Sequence, residues 1–517
     1  MKFKIISLLA RCMTIELEKT GIYDSQSYEI YLNGQHVVSS NRIIETIYDL
    51  LPDTEYTVQI QSDHETYDPI VITTPGEEVT LNVKEFGAKG DGIQDDTRFI
   101  QAAILSCPKK GRVYIPEGIY KVSSIFLKSN LNLEIGKNAV LSAFTDRDKF
   151  PILPGVIKGS DDLEYNLGTW EGDPLDAFAG ILTGIGVKKV NIYGQGIIDG
   201  NASHENWWHN AKVLNIAYRP RMLFLNRCSD IKVKGITFQN APAWNVHPYF
   251  SKDLKFYNVN VISPEDSCNT DGLNPESCKD VEIAGCYFSV GDDCIAVKSG
   301  KIYMGQKYKV PSKNILIRQC YMKDGHGAVV LGSEIGAGVK NILVKDCKFE
   351  NTDRGLRIKL RRGRGEDCVI DDVWFDNIEM DHVKVPFTLN SFYFCDPDGK
   401  TDYVQNKEAL PVDHRTPCVK KLKFTNITCE NSHFASVYFY GLPEKKIQAI
   451  DMENIRISFA NDAKTGVADM MLDCDPSCKL GIFLHNIEKV NLKNVKLEGQ
   501  IGDPFILKGI DELIQED

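Results

Sequence analysis

The stretch KDVEIAGCYFSV (279–290) decides the fold of this chain, because its pattern returns as KNILIRQCYMKD (313–324) and KNILVKDCKFEN (340–351). Each copy has a polar turn, a strand of alternating apolar residues and a second short strand. Looser copies occupy 229–240, 252–263, 420–431 and 488–499, and successive copies start roughly 22–35 residues apart, a period typical of solenoids and propellers. Short strands without intervening helices favour a right-handed parallel β-helix. A propeller blade needs about four strands in about 40 residues, more than one copy holds.

Composition and charge limit the possible partners. The 517 residues are 43% hydrophobic and 25% charged, with a net charge of −11, which indicates a soluble globular protein and argues against a nucleic-acid partner. No segment is long enough for a transmembrane helix, so no membrane partner is expected. An acidic ligand would need a local basic patch. One basic cluster exists, and it is either a solvated charge run or an anion-binding wall: Arg354, Arg357, Lys359, Arg361, Arg362 and Arg364.

The first 80 residues read as a separate unit. MTIELEK (13–19), SYEIYLNG (27–34) and YTVQIQ (56–61) are short alternating strands split by polar turns, which favours a small β-sandwich. The segment from Leu51 to Tyr56 resembles the turn and tyrosine corner of fibronectin type III domains. We therefore predict a fibronectin type III-like β-sandwich over 1–80 and a parallel β-helix over 81–517, an all-β chain.

The start of the second unit has its own signature, FGAKGDG (86–92) followed by Asp95-Asp96-Thr97 and FIQAAILSC (99–107). Either aspartate can cap a helix, and Ile100, Ala103 and Ile104 give that helix an apolar face. The segment resembles the beginning of pectin-degrading parallel β-helices. The resemblance implies a short helix that covers the open end of the coils.

The cysteines favour a reducing compartment. There are 15, with no CxxC pair, so a zinc site is not expected. Cys286, Cys320 and Cys347 end equivalent strands, which predicts a stack of buried free thiols. Lys2 and Lys4 precede an apolar run, but Arg11 interrupts it early and no small-residue cleavage site follows. We expect a cytoplasmic location, with secretion as the alternative.

Four polar motifs follow copies of the repeat in a fixed order: Asn269-Thr270-Asp271, Gly291-Asp292-Asp293, Gly325-His326-Gly327 and Arg357-Ile358-Lys359. The second and third start five positions after a repeat cysteine, so they occupy the same station of neighbouring coils. Because stacked strands lie about 4.8 Å apart, all four motifs should line one groove. Each motif alone is a common turn or surface feature. Together they provide the groups that protonate a leaving oxygen, activate water and hold an acidic sugar.

The order and spacing of these motifs resemble the polygalacturonase family, glycoside hydrolase family 28, over about 85–500. The resemblance implies hydrolysis of α-1,4-linked galacturonic acid with inversion. It makes Asp292 the general acid, Asp271 and Asp293 the groups that hold and deprotonate water, and His326 a support for the acid. Inverting enzymes separate acid and base carboxyls by about 6.5–9.5 Å, a spacing expected here. Neighbouring carboxylates also resist joint ionisation, which should raise one pKa.

The same resemblance assigns substrate-binding positions. Arg357 and Lys359, which point to the same side of one strand, would bind the galacturonate carboxylate, and Asn269 would donate or accept a hydrogen bond. Further candidates come from the segments NAPAWNVHP (240–248), GSE (332–334) and NSFYF (390–394): Trp244, His247, Glu334 and Tyr393. Trp244 either stacks on a sugar or fills the coil wall. The segment 395–417 is predicted to be an insertion that closes one end of the groove.

The expected partner is therefore a galacturonan oligosaccharide or polysaccharide. No metal or other cofactor is expected, because all three carboxylates have roles. The added N-terminal unit and the insertion favour exo action from the non-reducing end, with endo action as the alternative. A calcium-dependent pectate lyase would use a cage of oxygen ligands, and the histidine and the Arg-Ile-Lys motif fit hydrolysis better. A non-catalytic glycan-binding β-helix would not need these groups in register.

Overall fold

The computed structural model describes residues 2–18, 21–62, 66–160 and 164–516. In this part of the chain two β units follow each other, and the prediction of an all-β fold is confirmed. No helix within the described ranges is long and apolar enough to cross a membrane.

The strands of the N-terminal unit are β1 (Phe3–Leu8), β2 (Met13–Leu17), β3 (Asp24–Leu32), β4 (Gln35–Arg42), β5 (Ile44–Ile47), β6 (Glu55–Ser62) and β7 (Ile70–Thr73). They form a sandwich of a three-stranded and a four-stranded antiparallel sheet, ordered β1-β2-β5 and β4-β3-β6-β7. The predicted tyrosine corner is present, since Tyr56 Oη accepts a hydrogen bond from the backbone N–H of Leu51 at 2.9 Å. This is the contact expected of a fibronectin type III-like tyrosine corner.

The second unit is a right-handed parallel β-helix whose first strand starts at Val79. Its strands, in chain order, are β8 (Val79–Asn82), β9 (Asp91–Asp95), β10 (Gly111–Ile115), β11 (Gly118–Val122), β12 (Ile125–Phe126), β13 (Leu131–Ile135), β14 (Ala139–Ala143), β15 (Ile152–Leu153), β16 (Ile157–Lys158), β17 (Glu164–Tyr165), β18 (Ala177–Phe178), β19 (Leu182–Ile185), β20 (Lys188–Gly194), β21 (Ile197–Asp199), β22 (Leu223–Asn226), β23 (Ser229–Lys234), β24 (Thr237–Gln239), β25 (Val246–Tyr249), β26 (Lys252–Tyr257), β27 (Asn260–Ile262), β28 (Lys279–Ala284), β29 (Tyr287–Ser289), β30 (Asp293–Val297), β31 (Ser312–Arg318), β32 (Tyr321–Lys323), β33 (Gly327–Gly332), β34 (Val339–Glu350), β35 (Arg354–Lys359), β36 (Val369–Asp381), β37 (Val385–Asn390), β38 (Cys418–Val419), β39 (Lys421–Ser432), β40 (Ala435–Tyr440), β41 (Ile447–Phe459), β42 (Leu480–Glu498) and β43 (Phe505–Glu516). In the described ranges three α-helices, α1 (Thr97–Ser106), α2 (Ile302–Tyr308) and α3 (Asp402–Gln405), and two short 3-10 helices, Val83–Phe86 and Arg147–Lys149, lie between them.

The repeat sets the register of the coils. Tyr287 pairs with Tyr321, and Tyr321 pairs with Lys348, so the preceding cysteines fall in one column. All three are buried free thiols, which confirms the predicted stack. The predicted step of about 22–35 residues is too narrow, because Asn132 pairs with Asn191 and Val373 with Leu422, 59 and 49 residues later. Coils lengthen wherever a loop leaves the helix.

Helix α1 covers the N-terminal end of the coils with Ile100, Ala103 and Ile104 buried, as predicted. The two aspartates before it have different tasks. Asp95 accepts the N–H of Thr97 at 3.1 Å, whereas Asp96 accepts the N–H groups of Lys89 and Gly90, each at 2.9 Å. Asp96 therefore ties the Gly-rich segment to the helix start rather than capping the helix with its side chain.

The sandwich docks against the middle of the β-helix through polar contacts. Arg318 Nη1 lies 2.7 Å from Glu16 Oε1. Asn258 donates to the carbonyl of Ile44 at 2.7 Å and accepts from Thr46 at 2.8 Å. Because these groups satisfy one another away from water, they fix the orientation of the sandwich.

The basic cluster is mostly structural, so neither sequence interpretation holds for four of its members. Arg361 and Arg364 pair with Asp396, and Arg362 pairs with Glu444. Arg354 donates to the backbone carbonyls of Val467 and Ala468. All four are buried. They anchor two long loops, 391–417 and 460–479, against the coils, and only Arg357 and Lys359 face the cleft described next.

Candidate active site

One cleft of about 870 Å³ collects nearly all of the predicted site residues. It lies on the face of the helix formed by β22, β25, β30, β33 and β35. Its lining includes Asp271, Asp292, Asp293, His326, Arg357, Lys359, Asn269, Trp244, Glu334 and Tyr393. The predicted convergence of the four motifs on one groove is therefore present in the structure.

The carboxylates meet because of the coil register. Asp293 starts β30 and pairs with Gly327 of β33, which places Asp292 beside His326 on the next coil. One oxygen from each of Asp271, Asp292 and Asp293 lies within 4.8 Å of the other two. The imidazole Nδ1 of His326 is 3.6 Å from Asp292 Oδ1. We call the three aspartates the triad.

The nearest oxygens of the triad lie within 4.8 Å of one another, whereas the spacing of about 6.5–9.5 Å is expected between the whole carboxyl groups of acid and base and stays a prediction. Asp271 sits at the turn before Leu273, which bridges Val246 and Ile295 of the adjacent coils. One coil step brings its carboxyl close to the Asp-Asp pair.

The triad retains a proton near neutral pH. Burial, followed by the charge of Asp292, raises the pKa of Asp271 to about 8. Burial also opposes ionisation of Asp292, but its contact with His326 and the charge of Lys359 outweigh burial and hold the pKa of Asp292 below its ordinary value. The same contact raises the pKa of His326. The predicted raised pKa is present, and in the free protein it belongs to Asp271.

Two lysines balance the triad. Lys359 Nζ lies 2.5 Å from Asp293 Oδ2, and Lys298 Nζ lies 3.6 Å from Asp271 Oδ2 and 2.9 Å from Glu334 Oε2. Within the described ranges the triad is the cluster of carboxylates whose spacing could hold a metal ion. The triad therefore has Lys359 as a partner of its own and shares Lys298 with Glu334.

Arg357 is oriented by a residue that the sequence did not reveal. Its Nη2 and Nε lie 2.7 and 3.1 Å from Asp469 Oδ1. Asp469 is buried and comes from the loop 460–479. Tyr393 completes this flank, with its ring centroid 5.8 Å from the Arg357 guanidinium and 5.9 Å from the Lys359 ammonium. Arg357 and Lys359 share one side of β35, as predicted.

The comparisons with known proteins follow this geometry. Residues 157–474 match the family model of glycosyl hydrolases family 28. The chain belongs to this family. It is therefore a glycoside hydrolase. Residues 80–160, the start of the coils, match a second model, rhamnogalacturonase A/epimerase, pectate lyase-like.

Relatives of this family 28 hydrolase extend over most of its length. It is 30% identical over 396 residues to a protein of Vitis vinifera described as "Probable polygalacturonase", with 74% of this chain and 75% of the relative covered. The structure of a family 28 exopolygalacturonase from Yersinia enterocolitica superposes with a TM-score of 0.73 at 20% identity and covers 98% of both chains. An exopolygalacturonase from Thermotoga maritima gives 0.63 at 24% identity, covering 80% of this chain and 91% of its own. These two structures share the fold.

Two predicted substrate contacts in the family 28 hydrolase need correction. His247 is fully buried, with Nε2 2.9 Å from Glu276 Oε2, so it cannot touch a ligand in the cleft. The faces of Trp244 are covered, because its ring stacks on Trp170 at 6.0 Å and lies 4.2 Å from Lys298 Nζ. Of the two interpretations for Trp244, the structure favours the coil wall. The alternation of side chains along a strand does not by itself show whether Trp244 or His247 faces outward.

The remaining candidates border the cleft through ion pairs and hydrogen bonds. Glu334 pairs with Lys298, and although burial opposes its ionisation, that lysine lowers the pKa of Glu334 to about 2. Asn269 Oδ1 accepts a hydrogen bond from Arg219 Nη2 at 2.6 Å. Lys298 and Arg219 both line the cleft and were missed from sequence. Each is a single cation outside a recognisable motif, so the sequence carries no signal for it.

The hydrolase narrows its cleft with loops. Segments 144–181 and 200–222 leave the first coils and supply Trp170, Asp173 and Trp207 to the lining. The predicted insertion 395–417 contributes Asp396 from the opposite end. Lys301 Nζ joins the two walls, at 3.1 Å from Asp173 Oδ2 and 3.7 Å from Asp396 Oδ1.

Proposed function

We propose that this family 28 hydrolase is an exo-polygalacturonase. It would remove α-1,4-linked galacturonic acid from the non-reducing end of oligo- or polygalacturonate, with inversion. The observation that carries the proposal is the triad set directly beside Lys359 and Arg357 in one cleft. The triad supplies acid and base, and the cations suit a carboxylated sugar.

Asp292 is the proposed general acid. Its proton goes to the glycosidic oxygen as the bond from that oxygen to the anomeric carbon breaks, so the leaving sugar departs as a neutral hydroxyl. His326, 3.6 Å from Asp292 and with a half-exposed side chain, faces the cleft and is placed to orient both the acid and the sugar.

Asp271 and Asp293 are the proposed water-holding pair. A water molecule between their oxygens would attack the anomeric carbon from the face opposite the leaving group and give its proton to one of them. Lys359, at 2.5 Å from Asp293, fixes the orientation of that carboxylate. Attack from the opposite face gives a product of inverted configuration.

Substrate binding must move the retained proton. The free enzyme holds it on Asp271, whereas the proposed acid is Asp292. A glycosidic oxygen placed against Asp292 accepts a hydrogen bond only from the protonated form, and such a bond favours protonation. Because the nearest oxygens of the two carboxyls lie within 4.8 Å, one water molecule can carry the proton between them.

The exo mode is supported by the shape of the cleft. Its volume of about 870 Å³ falls within the range of pockets that enclose small ligands, about 300–1,000 Å³. The loops 144–181 and 200–222 stand on the N-terminal side of the triad, and Lys301 ties that wall to Asp396. A chain end fits such a cleft better than the middle of a polymer.

The deciding experiment follows the products of trigalacturonate and polygalacturonate over time, with the anomer formed first read by proton NMR. Release of monogalacturonate or digalacturonate from the first time point, as the β-anomer, supports the proposal. A ladder of intermediate lengths from polygalacturonate would make the enzyme endo-acting. A first-formed α-anomer would replace inversion by retention. An unsaturated product that disappears on chelation and returns with calcium would identify a lyase, and glycan binding without turnover would leave a binding β-helix.

We also propose the cytoplasm as the compartment. All 15 cysteines are free thiols, most of them buried, which supports this proposal because secreted proteins commonly use disulfides. Fractionation of the source cells with a reporter fused to the C-terminus measures it, and activity in the culture medium would point to secretion.

A further inference from the structure

Arg219 differs from the other buried cations of the cleft because it has no acidic partner. Arg357 pairs with Asp469, Lys359 with Asp293 and Lys298 with Glu334. Within the described residues, no carboxylate oxygen lies within 4.0 Å of the Arg219 guanidinium. Its Nη1 donates to the backbone carbonyls of Pro242 and Cys268 at 2.8 and 2.9 Å. Its Nη2 donates to Asn269 Oδ1 at 2.6 Å.

Charged groups of both signs lie near Arg219, namely Arg147, Glu171 and Asp271, but neither acid forms an ion pair with it in the described ranges. The side chain is only 5% exposed, and its guanidinium lies 5.3 Å from the ring of Trp170. Arg147, which lines the same wall, also lacks an ion-pair partner in the described ranges and lies 4.4 Å from the ring of Trp207. Glu171 lines the same wall, and its pKa is raised by burial and by Glu334. A buried, uncompensated cation that faces a cleft is stabilised by an anionic ligand.

The position of Arg219 relative to the triad identifies the anion. Arg219 precedes β22, which pairs with β25, and Val246 of β25 bridges Leu273 just after Asp271. On the other side, β30 pairs with β33 and β33 with β35, the strand of Arg357. The two arginines therefore flank the triad at two coil steps each, about 10 Å at about 4.8 Å per step.

We propose that Arg219 binds the carboxylate of the galacturonosyl residue on the N-terminal side of the scissile bond, the chain-terminal residue, with Arg147 adding to the local positive potential. This inference rests on the proposed function. It makes Arg219 a specificity-determining residue, because a neutral terminal sugar would leave its charge uncompensated. Arg357 and Lys359 then serve the residue on the other side of the bond.

The test compares Arg219→Gln with the wild type on two trisaccharides. One is trigalacturonate, and the other has its non-reducing-end carboxyl reduced to give a terminal galactose. Loss of one charge-assisted hydrogen bond should lower kcat/KM on trigalacturonate about 10–100-fold. The neutral-ended trisaccharide, a poor substrate for the wild type, should change less than about threefold. Arg219→Lys, which keeps the charge but not the fork, should restore part of the preference.

Lys212→Gln is the matched control. Lys212 is exposed at the rim of the same wall, so this variant removes one charge without touching Arg219, and both substrates should change less than about threefold. Arg219 also holds the turn at Asn269, and damage to that turn would reduce both trisaccharides equally. Equal losses for Arg219→Gln would therefore overturn the inference and make Arg219 a structural residue. A wild type that cleaves neither trisaccharide would instead refute the proposed function. In that case calorimetric binding of galacturonate, weaker in Arg219→Gln than in Lys212→Gln, still tests the carboxylate contact.

Discussion

The two flanks of the triad use positive charge differently. On the C-terminal flank Arg357 and Lys359 each have a carboxylate partner, Asp469 and Asp293. On the N-terminal flank Arg219 donates only to neutral oxygens. A paired cation is held in one orientation before the ligand arrives, whereas an unpaired one has a charge that only a ligand can balance. The paired cations of the C-terminal flank therefore favour a fixed orientation of the substrate, and the unpaired cation of the N-terminal flank favours selection by substrate charge.

This difference separates orientation from selection within one cleft. A buried pair loses much of its strength to desolvation, but removal of one partner leaves a costly unpaired charge. The C-terminal flank should therefore respond strongly to loss of a partner. The N-terminal flank should respond mainly to the charge of the sugar.

Asp292→Asn should have the largest effect and locate the reaction between the flanks. An amide cannot donate the acid proton, so kcat on trigalacturonate should fall by at least about 10²–10⁴-fold, with KM nearly unchanged. On an aryl galacturonide with a good leaving group the loss should be far smaller, because that leaving group needs no acid. Asp271→Asn is the control, since loss of a water-holding group should harm both substrates. If Asp271→Asn is the variant spared on the aryl substrate, the two roles are exchanged.

Asp469→Asn should leave the C-terminal flank with an unpaired arginine, as Arg219 is on the N-terminal flank. It leaves the buried Arg357 without a counter-ion, and loss of one partner of a buried pair costs about 3–5 kcal/mol of stability. Added galacturonate should restore part of that loss, so its stabilising effect, read from urea unfolding, should be larger in the variant than in the wild type. Asp398→Asn is the matched control, because Asp398 pairs with Arg361 outside the cleft. If galacturonate stabilises the wild type and both variants equally, Arg357 does not bind the ligand.

Lys359→Met should weaken recognition of acidic sugar by the paired flank. One charge-assisted hydrogen bond contributes about 1.5–3 kcal/mol, so kcat/KM on free-acid trigalacturonate should fall roughly 10–100-fold. The fully methyl-esterified trimer should lose less, which narrows the discrimination between the two. Equal losses on both trimers would mean that Lys359 acts only through Asp293.

The smallest effect concerns pH and belongs to neither flank. The pKa of Asp271 is raised to about 8 by burial and by Asp292, so the triad keeps its proton below that pH and loses it above. The sign is therefore a fall in kcat/KM with rising pH, about tenfold by pH 9 relative to the plateau. The Asp271→Asn variant should lack this alkaline limb in its residual activity. A limb that survives in the variant would have to come from another group.

The repeat explains why much of the centre could be predicted. Asp292, Asp293 and His326 sit at fixed offsets from repeat cysteines, and coil register turns equal offsets into neighbours. The sequence could also place Arg357 and Lys359 on one side of a strand, since that follows from the period of two. Their roles as acid, base or ligand remain predictions.

The walls could not be predicted, because they come from loops. Asp469 and Arg219 lie in segments without periodicity, and Lys298 stands alone just after β30. The prediction that His247 binds substrate was wrong for the opposite reason, since His247 belongs to a regular strand whose side chains are all buried. Arg361, Arg362 and Arg364 pair with acids 32–82 residues away along the chain, and charge counting along the sequence does not reveal such pairs.

The contact between Arg357 and Asp469 has a consequence for synthesis on the ribosome. The two residues are 112 positions apart, and at about 5–20 residues per second the partner emerges roughly 6–22 s after Arg357. During that interval the coils around Arg357 can stack, yet its guanidinium has no acid to bind. The nascent β-helix thus carries a temporarily exposed basic site, and a polyanion present during translation could occupy it before the loop 460–479 closes. The cleft is completed from the C-terminal end, long after the triad itself has been made.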